Sequence, residues 1–426
     1  MTSSDFIRQI ESVVGTENVE RSPDVVIDGH SPPMLARPGS REEVAECLKV
    51  CSEANIAVVP AGLGGWLECG NPLRRADCIL SLERMSRIID YSPADLTVMV
   101  EAGLTVKELY DATRKERQWL PLDPPGSARA SLGAVASCAS SGALRLGFGT
   151  PRDYVIGLRL AHADGTESKS GGRVVKNVAG YDMNKLYIGS FGTLAVITEL
   201  TLKLRPLADS SSSITVRSES LGAVGESARR VLAADILPVS VVLARGVSRD
   251  DTGPGFNGWE MSVRFIENET AVEHQISRVI EIIGSNASYS IHGGEKERAM
   301  WERLVEIDRA RAVLIKISLP LSKTLEALAS MPEALPGCAV VGDAGTGIIR
   351  IAFDAEDQKA IEIIERLRAE AGAMGGTLIV ERAATSVRRR ADAWGDPGKT
   401  VHIMRAIKDR LDPQSLLNPG RFVCGI

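Results

Sequence analysis

The sequence predicts an α+β protein of at least two domains, on three observations. Its 426 residues exceed the roughly 250–300 at which a single core stops growing. A hydrophobic content of 44% with 25% charged residues is that of an ordinary globular chain. Short strand-like runs and amphipathic helix-like runs lie on both sides of a polar stretch, "LADSSSSI" (207–214), which reads as a link between domains.

The elements follow in order. "SREEVAECLKVCSEAN" (40–55) reads as a helix, with Ser40 as N-cap, acidic residues in the first turn and an apolar stripe. "IAVVPAG" is a buried strand. After "GLGGWLECGNPLRRA" come the β-like runs "CILSL", "SRIIDY" and "LTVMVEAG". "TVKELYDATRKERQ" is a second helix, capped by Thr105 with Glu108 three residues on, a capping box. "SLGAVASCASSGA" reads as a small-residue helix beginning at Ser131. "VIGLRLAHADGTESKS" is a hairpin turning at Asp164-Gly165. "TLAVITELTLKLRP" is a strand that stops at Pro206. Runs such as "SITVRS", "AVGESARRVLAA" and "AIEIIERLRAEAGA" then alternate to about residue 380 as a separate α/β domain. "MRAIKDRLDPQSLLNPGRFVCGI" closes the chain as a helix and an irregular tail.

Composition narrows the function. A formal net charge of −5 with 4% aromatics argues against a nucleic-acid groove, which needs clustered cations and stacking rings. No stretch approaches the ~20 apolar residues of a membrane span. The N-terminus has acidic residues where a signal peptide has its apolar core. The expected compartment is therefore the cytoplasm, with room for a peripheral seat at the inner membrane face. Seven scattered cysteines suggest reduced thiols rather than a disulfide framework. Cys47 and Cys51, one helical turn apart, read as small core residues. The five histidines show no zinc-like spacing, so no metal is expected.

Three glycine-rich segments carry more information: "PAGLGGWLECGNP" (60–72), "SLGAVASCASSG" (131–142) and "GSFGTLAVITE" (189–199). The first fails as a dinucleotide fingerprint, because Gly62, Gly64 and Gly65 lead into another strand rather than a helix. It also fails as a Walker loop, having no G-K-[ST]. What remains is a row of bare N–H groups suited to an anion. The second adds a helix start at Ser131, where Gly133, Ala134, Ala136 and Ser137 leave room for a phosphate. Together they describe a pyrophosphate held from two sides.

In order, Pro60–Trp66, Ala130–Ala134, Gly192–Glu199 and Leu417–Gly420 resemble the FAD-binding family of vanillyl-alcohol oxidase and p-cresol methylhydroxylase. Within it, "GGRVVKNVAGYDMNKLYIGSFGTL" (171–194) and "LNPGRF" resemble the small FAD-binding subunits of bacterial glycolate oxidases. The likeness covers most of 30–206 and the tail, and is weak through 207–380. It implies a two-subdomain FAD-binding domain over 1–206, divided near 83. A cap over 207–380 and a C-terminal segment, 381–426, returning to the flavin site complete the expectation. The implied cofactor residues are Pro60, Ala61, Gly62, Leu63, Gly64, Gly65, Trp66, Pro125, Ser131, Gly133, Ala134, Ser137, Gly142, Gly192, Ile197 and Asn418. Residues 176–198 would wrap the flavin, and the strand around Ile197 would offer backbone to the adenine. Tyr181-Asp182 also suits a short helix with Asp182 as N-cap. Leu63 and Gly65 replace the loop's usual glycine and threonine, and no histidine or cysteine stands at a covalent flavin position. Noncovalent FAD is therefore expected.

The resemblance also frames the chemistry. Catalytically complete relatives carry H-x-G-D-G-N-x-H in the cap. Here the stretch is "DAGTGIIR", with Asp343 and Arg350 at the histidine positions. In "VERAAT", Glu381 is kept and Arg382 takes another histidine's place. Arg382, Arg145 and Lys176 suit an anion, and with Glu381 and Tyr181 they form the candidate catalytic set. Two hypotheses follow. One is a flavoenzyme subunit that oxidises a small 2-hydroxy acid and passes electrons to an iron–sulfur partner beside a larger flavoprotein subunit. The other is an FAD-binding accessory subunit that relays electrons or stabilises a catalytic partner.

Overall fold

A computed structural model describes residues 3–172, 181–247, 256, 258–284, 286–307 and 309–426. The chain divides into two compact units. The first comprises Met1–Ser140, Thr150–Leu207 and Asp396–Ile426; the second comprises Ser141–Gly149 and Ala208–Gly395.

The first unit holds two main sheets. One has four strands in the order Val19–Arg21, Met34–Ala36, Cys78–Ser81, Val58–Ala61. Its last three strands run parallel. A parallel neighbour requires a crossover, and the helix Arg41–Glu53 lies in the one from Met34–Ala36 to Val58–Ala61. That helix starts where expected, with the Ser40 hydroxyl accepting from the Glu43 N–H. Its Cys47 and Cys51 are buried, as is Cys78 of the neighbouring strand. Burial pushes the Cys47 thiol up, so it packs as a small apolar group rather than reacting. None of the seven cysteines is in a disulfide.

The other sheet has five antiparallel strands in the order Ile88–Ser92, Thr97–Glu101, Val196–Lys203, Val155–Ala161, Glu167–Gly171. The Asp164-Gly165 turn joins the last two; Gly165 takes φ 82° and the Asp164 carboxylate accepts from the Thr166 N–H at 2.9 Å. The capping box at Thr105 and Glu108 forms reciprocally, fixing the helix Val106–Thr113.

The second unit is built on one eight-stranded sheet. Its order is Ser288–Gly293, Ser210–Ser218, Trp259–Glu267, Ser240–Arg245, Ala339–Asp343, Ile348–Phe353, Val313–Ser318, Thr377–Arg382. The expected alternation of strands and helices is present, and every strand pair is antiparallel. Side chains alternate across a strand. On one face Val241, Leu243, Ile315, Ile317, Ile349 and Ile351 bury against helix residues such as Val231, Ile276 and Ile364. On the opposite face Trp301 and Leu304 of the helix Gly294–Glu306 meet Val242, Ala339 and Val341. The same face carries the charged side chains of Lys316 and Arg350, whose register partners include Ile379 and Val341.

The serine run is not a link. Ser210–Ser213 open the strand Ser210–Ser218. The Ser211 and Ser213 hydroxyls donate to the buried Glu297 carboxylate at 2.9 and 2.6 Å, and the Trp301 indole N–H donates to Ser213 Oγ at 2.8 Å. Consecutive serines suit a strand when a buried carboxylate needs donors on its polar face. Among the described residues no helix is long and apolar enough to cross a membrane.

Candidate functional site

In the first unit the glycine loop and the small-residue helix start meet. The strand Val58–Ala61 ends at the loop, where Gly64 takes φ 76°. A Cβ on Gly62 would stand 2.0 Å from Ser131 Oγ, so this glycine is required by close approach. Ser131 has the extended backbone of an N-cap (φ −71°, ψ 146°) but makes no side-chain cap bond. Its buried Oγ has no hydrogen-bond partner within the protein, although buried hydroxyls are nearly always satisfied. The turn after Pro125 reaches the same loop, with Arg129 donating to the Leu63 carbonyl at 3.4 Å. Trp66 is half-buried just beyond it.

Gly133 has a different reason for being glycine. Its N–H donates to the Ala102 carbonyl at 2.8 Å, and a Cβ there would stand 2.7 Å from the Ala102 Cβ. The small side belongs to helix–sheet packing. Farther along the helix, the Ala136 and Ser137 carbonyls accept from the N–H groups of Gly189 and Phe191. Ile197 sits at a register shift in its strand, where the ladder is locally disrupted.

A second corner joins Pro60, Gly192 and Asn418. The Val58 N–H donates to the Leu416 carbonyl, and the Asn418 N–H donates back to the Val58 carbonyl at 3.0 Å. Asn418 Nδ2 donates to the Phe191 carbonyl at 2.8 Å. A Cβ on Gly192 (φ 66°) would meet Asn418 Nδ2 at 3.0 Å and Pro60 Cγ at 3.6 Å. Asn418 Oδ1, like Ser131 Oγ, is buried with no partner.

Buried ion pairs hold this corner, and sequence reasoning missed them. Arg421 pairs with Asp28 at 2.9 Å and donates to the Asn71 and Leu67 carbonyls at 2.9 and 2.6 Å. Lys408 pairs with Asp412 at 2.6 Å. Asp412 also accepts from the Leu416 and Leu417 N–H groups. The arginine of "LNPGRF" was visible as a motif member. Nothing in the sequence marked Lys408 among the other cations of its helix.

Lys176 lies outside the described residues. Tyr181 is 91% exposed. The short helix after it is Asn184–Tyr187, with Met183 rather than Asp182 at the cap. The Asp182 carboxylate instead pairs with Lys185 at 3.4 Å, one turn on.

The remaining candidates lie in the second unit, Glu381 and Arg382 on its sheet and Gly142 and Arg145 in the segment Ser141–Gly149. Glu381, beside a register shift, pairs with Arg350 at 3.1 Å and Lys316 at 3.4 Å. Burial acts to raise its carboxyl, but these two cations outweigh it and hold it below the usual range. Arg350 also donates to the Ser141 carbonyl. Arg382 donates to the Arg311 carbonyl at 2.9 Å. Burial pushes the Asp343 carboxyl up to about 6, against the N–H donors of Gly345 and Thr346 and the charge of Arg145. Gly142, Asp343 and Arg350 line a small cavity of about 30 Å³. Lys316 was also missed; its strand "VLIKIS" alternates, and the alternation assigns it to the face opposite Ile315 and Ile317.

FAD fits the first unit on its own observations. Two buried polar oxygens are unmet, one at each of two corners built from bare backbone, and the loop end at the first has no room for a Cβ. Comparisons agree. The profile of an FAD binding domain matches residues 32–171, and that of the C-terminal domain of FAD linked oxidases matches residues 265–422. The glycolate oxidase subunit GlcD of Bacillus subtilis is 25% identical over 446 residues, covering 97% of this chain and 92% of that protein. A probable mitochondrial D-lactate dehydrogenase of Danio rerio is 29% identical over 439 residues, covering 95% and 85%. In fold the chain is similar to p-cresol methylhydroxylase with substrate bound, at a TM-score of 0.72 and 18% identity over 98% of this chain and 96% of that one. Site and fold together define an FAD-binding oxidoreductase. The chain carries matches to an FAD binding domain and to the C-terminal domain of FAD linked oxidases, on a fold of the p-cresol methylhydroxylase type.

Proposed function

We propose that this chain is the FAD-binding subunit of a glycolate oxidase-like complex that oxidises a small 2-hydroxy acid and passes electrons to an iron–sulfur partner. A larger flavoprotein subunit would complete the complex, which would work in the cytoplasm or peripherally at the inner membrane face. One observation carries the reading: relatives named for glycolate and D-lactate each match more than nine-tenths of this chain, its cationic second unit included.

Bound FAD supplies the acceptor for the substrate's hydride. The chain's own residues divide the rest. The loop 60–66, Ser131, Gly192 and Asn418 hold the cofactor. Arg350 and Lys316, with Arg382 and Arg145, attract a carboxylate, as guanidinium and ammonium groups do. Asp343, held near 6, has the affinity to take a hydroxyl proton near neutral pH.

The accessory reading has a specific observation behind it. Glu381 already pairs with both Arg350 and Lys316, and the cavity beside them, about 30 Å³, has room for little more than a water. A substrate carboxylate would have to displace Glu381. We therefore expect the isolated chain to bind FAD but to be reduced by glycolate or D-lactate slowly or not at all. Adding a histidine-bearing flavoprotein subunit and an iron–sulfur subunit should restore fast turnover. Anaerobic stopped-flow mixing reads this directly as flavin bleaching. Bleaching of the isolated chain at roughly 1 per second or faster would overturn the division of labour. If this chain's flavin stays oxidised within the active complex, the accessory reading stands instead.

A further inference from the structure

We propose that Lys408 is a positioning residue of the cofactor site: its buried ammonium staples the Gly192 loop to the Asn418 turn and holds both in the shape that receives FAD. The inference rests on the assignment of Gly192 and Asn418 to the cofactor.

Lys408 lies in the helix Val401–Leu411 and is 2% exposed. An ammonium has three donors and no acceptor, and here all three are used. One goes to the Thr193 carbonyl at 2.7 Å, one to the Leu417 carbonyl at 3.0 Å and one to Asp412 at 2.6 Å. The first two carbonyls belong to residues adjoining Gly192 and Asn418, segments more than 200 positions apart. A lysine is rarely this buried unless paired, and Asp412 supplies the counter-charge. Burial still lowers the Lys408 ammonium's affinity for its proton, so the site is built at a cost.

What the staple holds is strained. Phe191 lies in the left-handed region at φ 54°, which bulky L-residues avoid unless surroundings over-determine it; Asn418, at φ 43°, is of a residue type that tolerates it. The Phe191 carbonyl is also the acceptor for Asn418 Nδ2. The two residues therefore fix each other, and the ammonium fixes the pair through the carbonyls of Thr193, two residues past Phe191, and Leu417, the residue before Asn418. Without it, this charged tie between the two segments is lost, and the unmet Asn418 Oδ1 loses its aim.

The test uses the full chain stripped of flavin. FAD affinity is measured by fluorescence titration, and amide exchange is followed at 189–194 and 415–419. Wild-type apoprotein should already protect both segments. K408M should remain folded by circular dichroism yet bind FAD at least tenfold more weakly, with faster exchange in both segments and no change in the helix Arg41–Glu53. K408Q, which keeps two donors, should fall between. Unchanged FAD affinity in folded K408M overturns the inference, even if its melting point falls, because the residue would then be merely structural. Should K408M fail to fold, the wild-type exchange decides: rapid exchange of both segments without FAD overturns it. If N418A binds FAD as tightly as wild type, the cofactor lies elsewhere and the underlying assignment falls as well.

Discussion

Replacing Ser131 by alanine should separate stability from cofactor binding. An N-cap serine normally accepts from an N–H in the first turn, and its loss costs about 0.5–2 kcal/mol. Ser131 has the backbone of a cap without the bond, and its Oγ is buried and unmet. A buried unsatisfied hydroxyl costs about 1–3 kcal/mol. S131A apoprotein should therefore be as stable as wild type or more so, by up to about 1 kcal/mol in urea unfolding. In the holoprotein the same oxygen would face a charged phosphate oxygen, a bond of about 1.5–3 kcal/mol, so FAD affinity should fall roughly 10- to 100-fold. The partner test is G62A. Its new Cβ would stand 2.0 Å from Ser131 Oγ and 2.9 Å from Ser131 Cβ, a clash of the kind that costs about 1–3 kcal/mol. Removing the Oγ relieves the closer contact, so the S131A/G62A cycle should show coupling of about 1 kcal/mol. An S131A apoprotein weakened by more than about 1 kcal/mol with wild-type FAD affinity would refute the reasoning, since Ser131 would then be an ordinary cap.

Three further outcomes follow from the same geometry. The purified protein should be yellow, and acid precipitation should release the flavin into solution; flavin retained in the pellet would mean a covalent link. G133A should lower apoprotein stability by about 1–3 kcal/mol, because its Cβ meets Ala102; an unchanged urea midpoint would refute that packing. Asp343 has a folded affinity near pH 6 against about 3.9 unfolded, so folding favours its protonated form and stability falls as pH rises from about 4 to about 6, by up to about 3 kcal/mol. D343N should lack that loss, and parallel urea midpoints for the two proteins at pH 4.5 and 7 would contradict it.

The parts of this fold legible in sequence are those fixed by neighbours a few residues apart. Ser40 and Glu43, Thr105 and Glu108, and Asp164 with Gly165 all act within one turn, so residue type and spacing suffice. Gly62 was legible as a bare backbone position, but its reason, the Ser131 hydroxyl 69 positions on, was not. Gly133 shows the converse. Its type and place beside a capped helix start suggested phosphate, whereas the atoms nearest its missing Cβ belong to Ala102. Periodicity could have found Lys316, because a charge at the outward position of "VLIKIS" must face something polar. Nothing local could have found that Ser141–Gly149 joins the second unit; the grouping of Asp396–Ile426 with the first has no local signal either, and only the family resemblance suggested a returning tail, from 381.

The buried charges explain why the tail must return. Asp28, Asp412, Lys408 and Arg421 are each nearly inaccessible, and removing one partner of such a pair costs about 3–5 kcal/mol, because the other charge is left uncompensated. Their contacts join residues 28, 67–71, 193 and 416–417. A hydrophobic tail could bury as much area there, but area does not fix which carbonyl faces which, whereas an ammonium with three acceptors and a guanidinium with two carbonyls and a carboxylate do. At a corner assembled from Pro60, Gly192 and Asn418, where a cofactor would meet backbone rather than side chains, that orientation is what the residues have to supply. On the proposed assignment of Gly192 and Asn418 to the cofactor, the strained φ of Phe191 is the expected accompaniment of a rigid receptor, and the tail would be part of the cofactor site rather than an appendage to it.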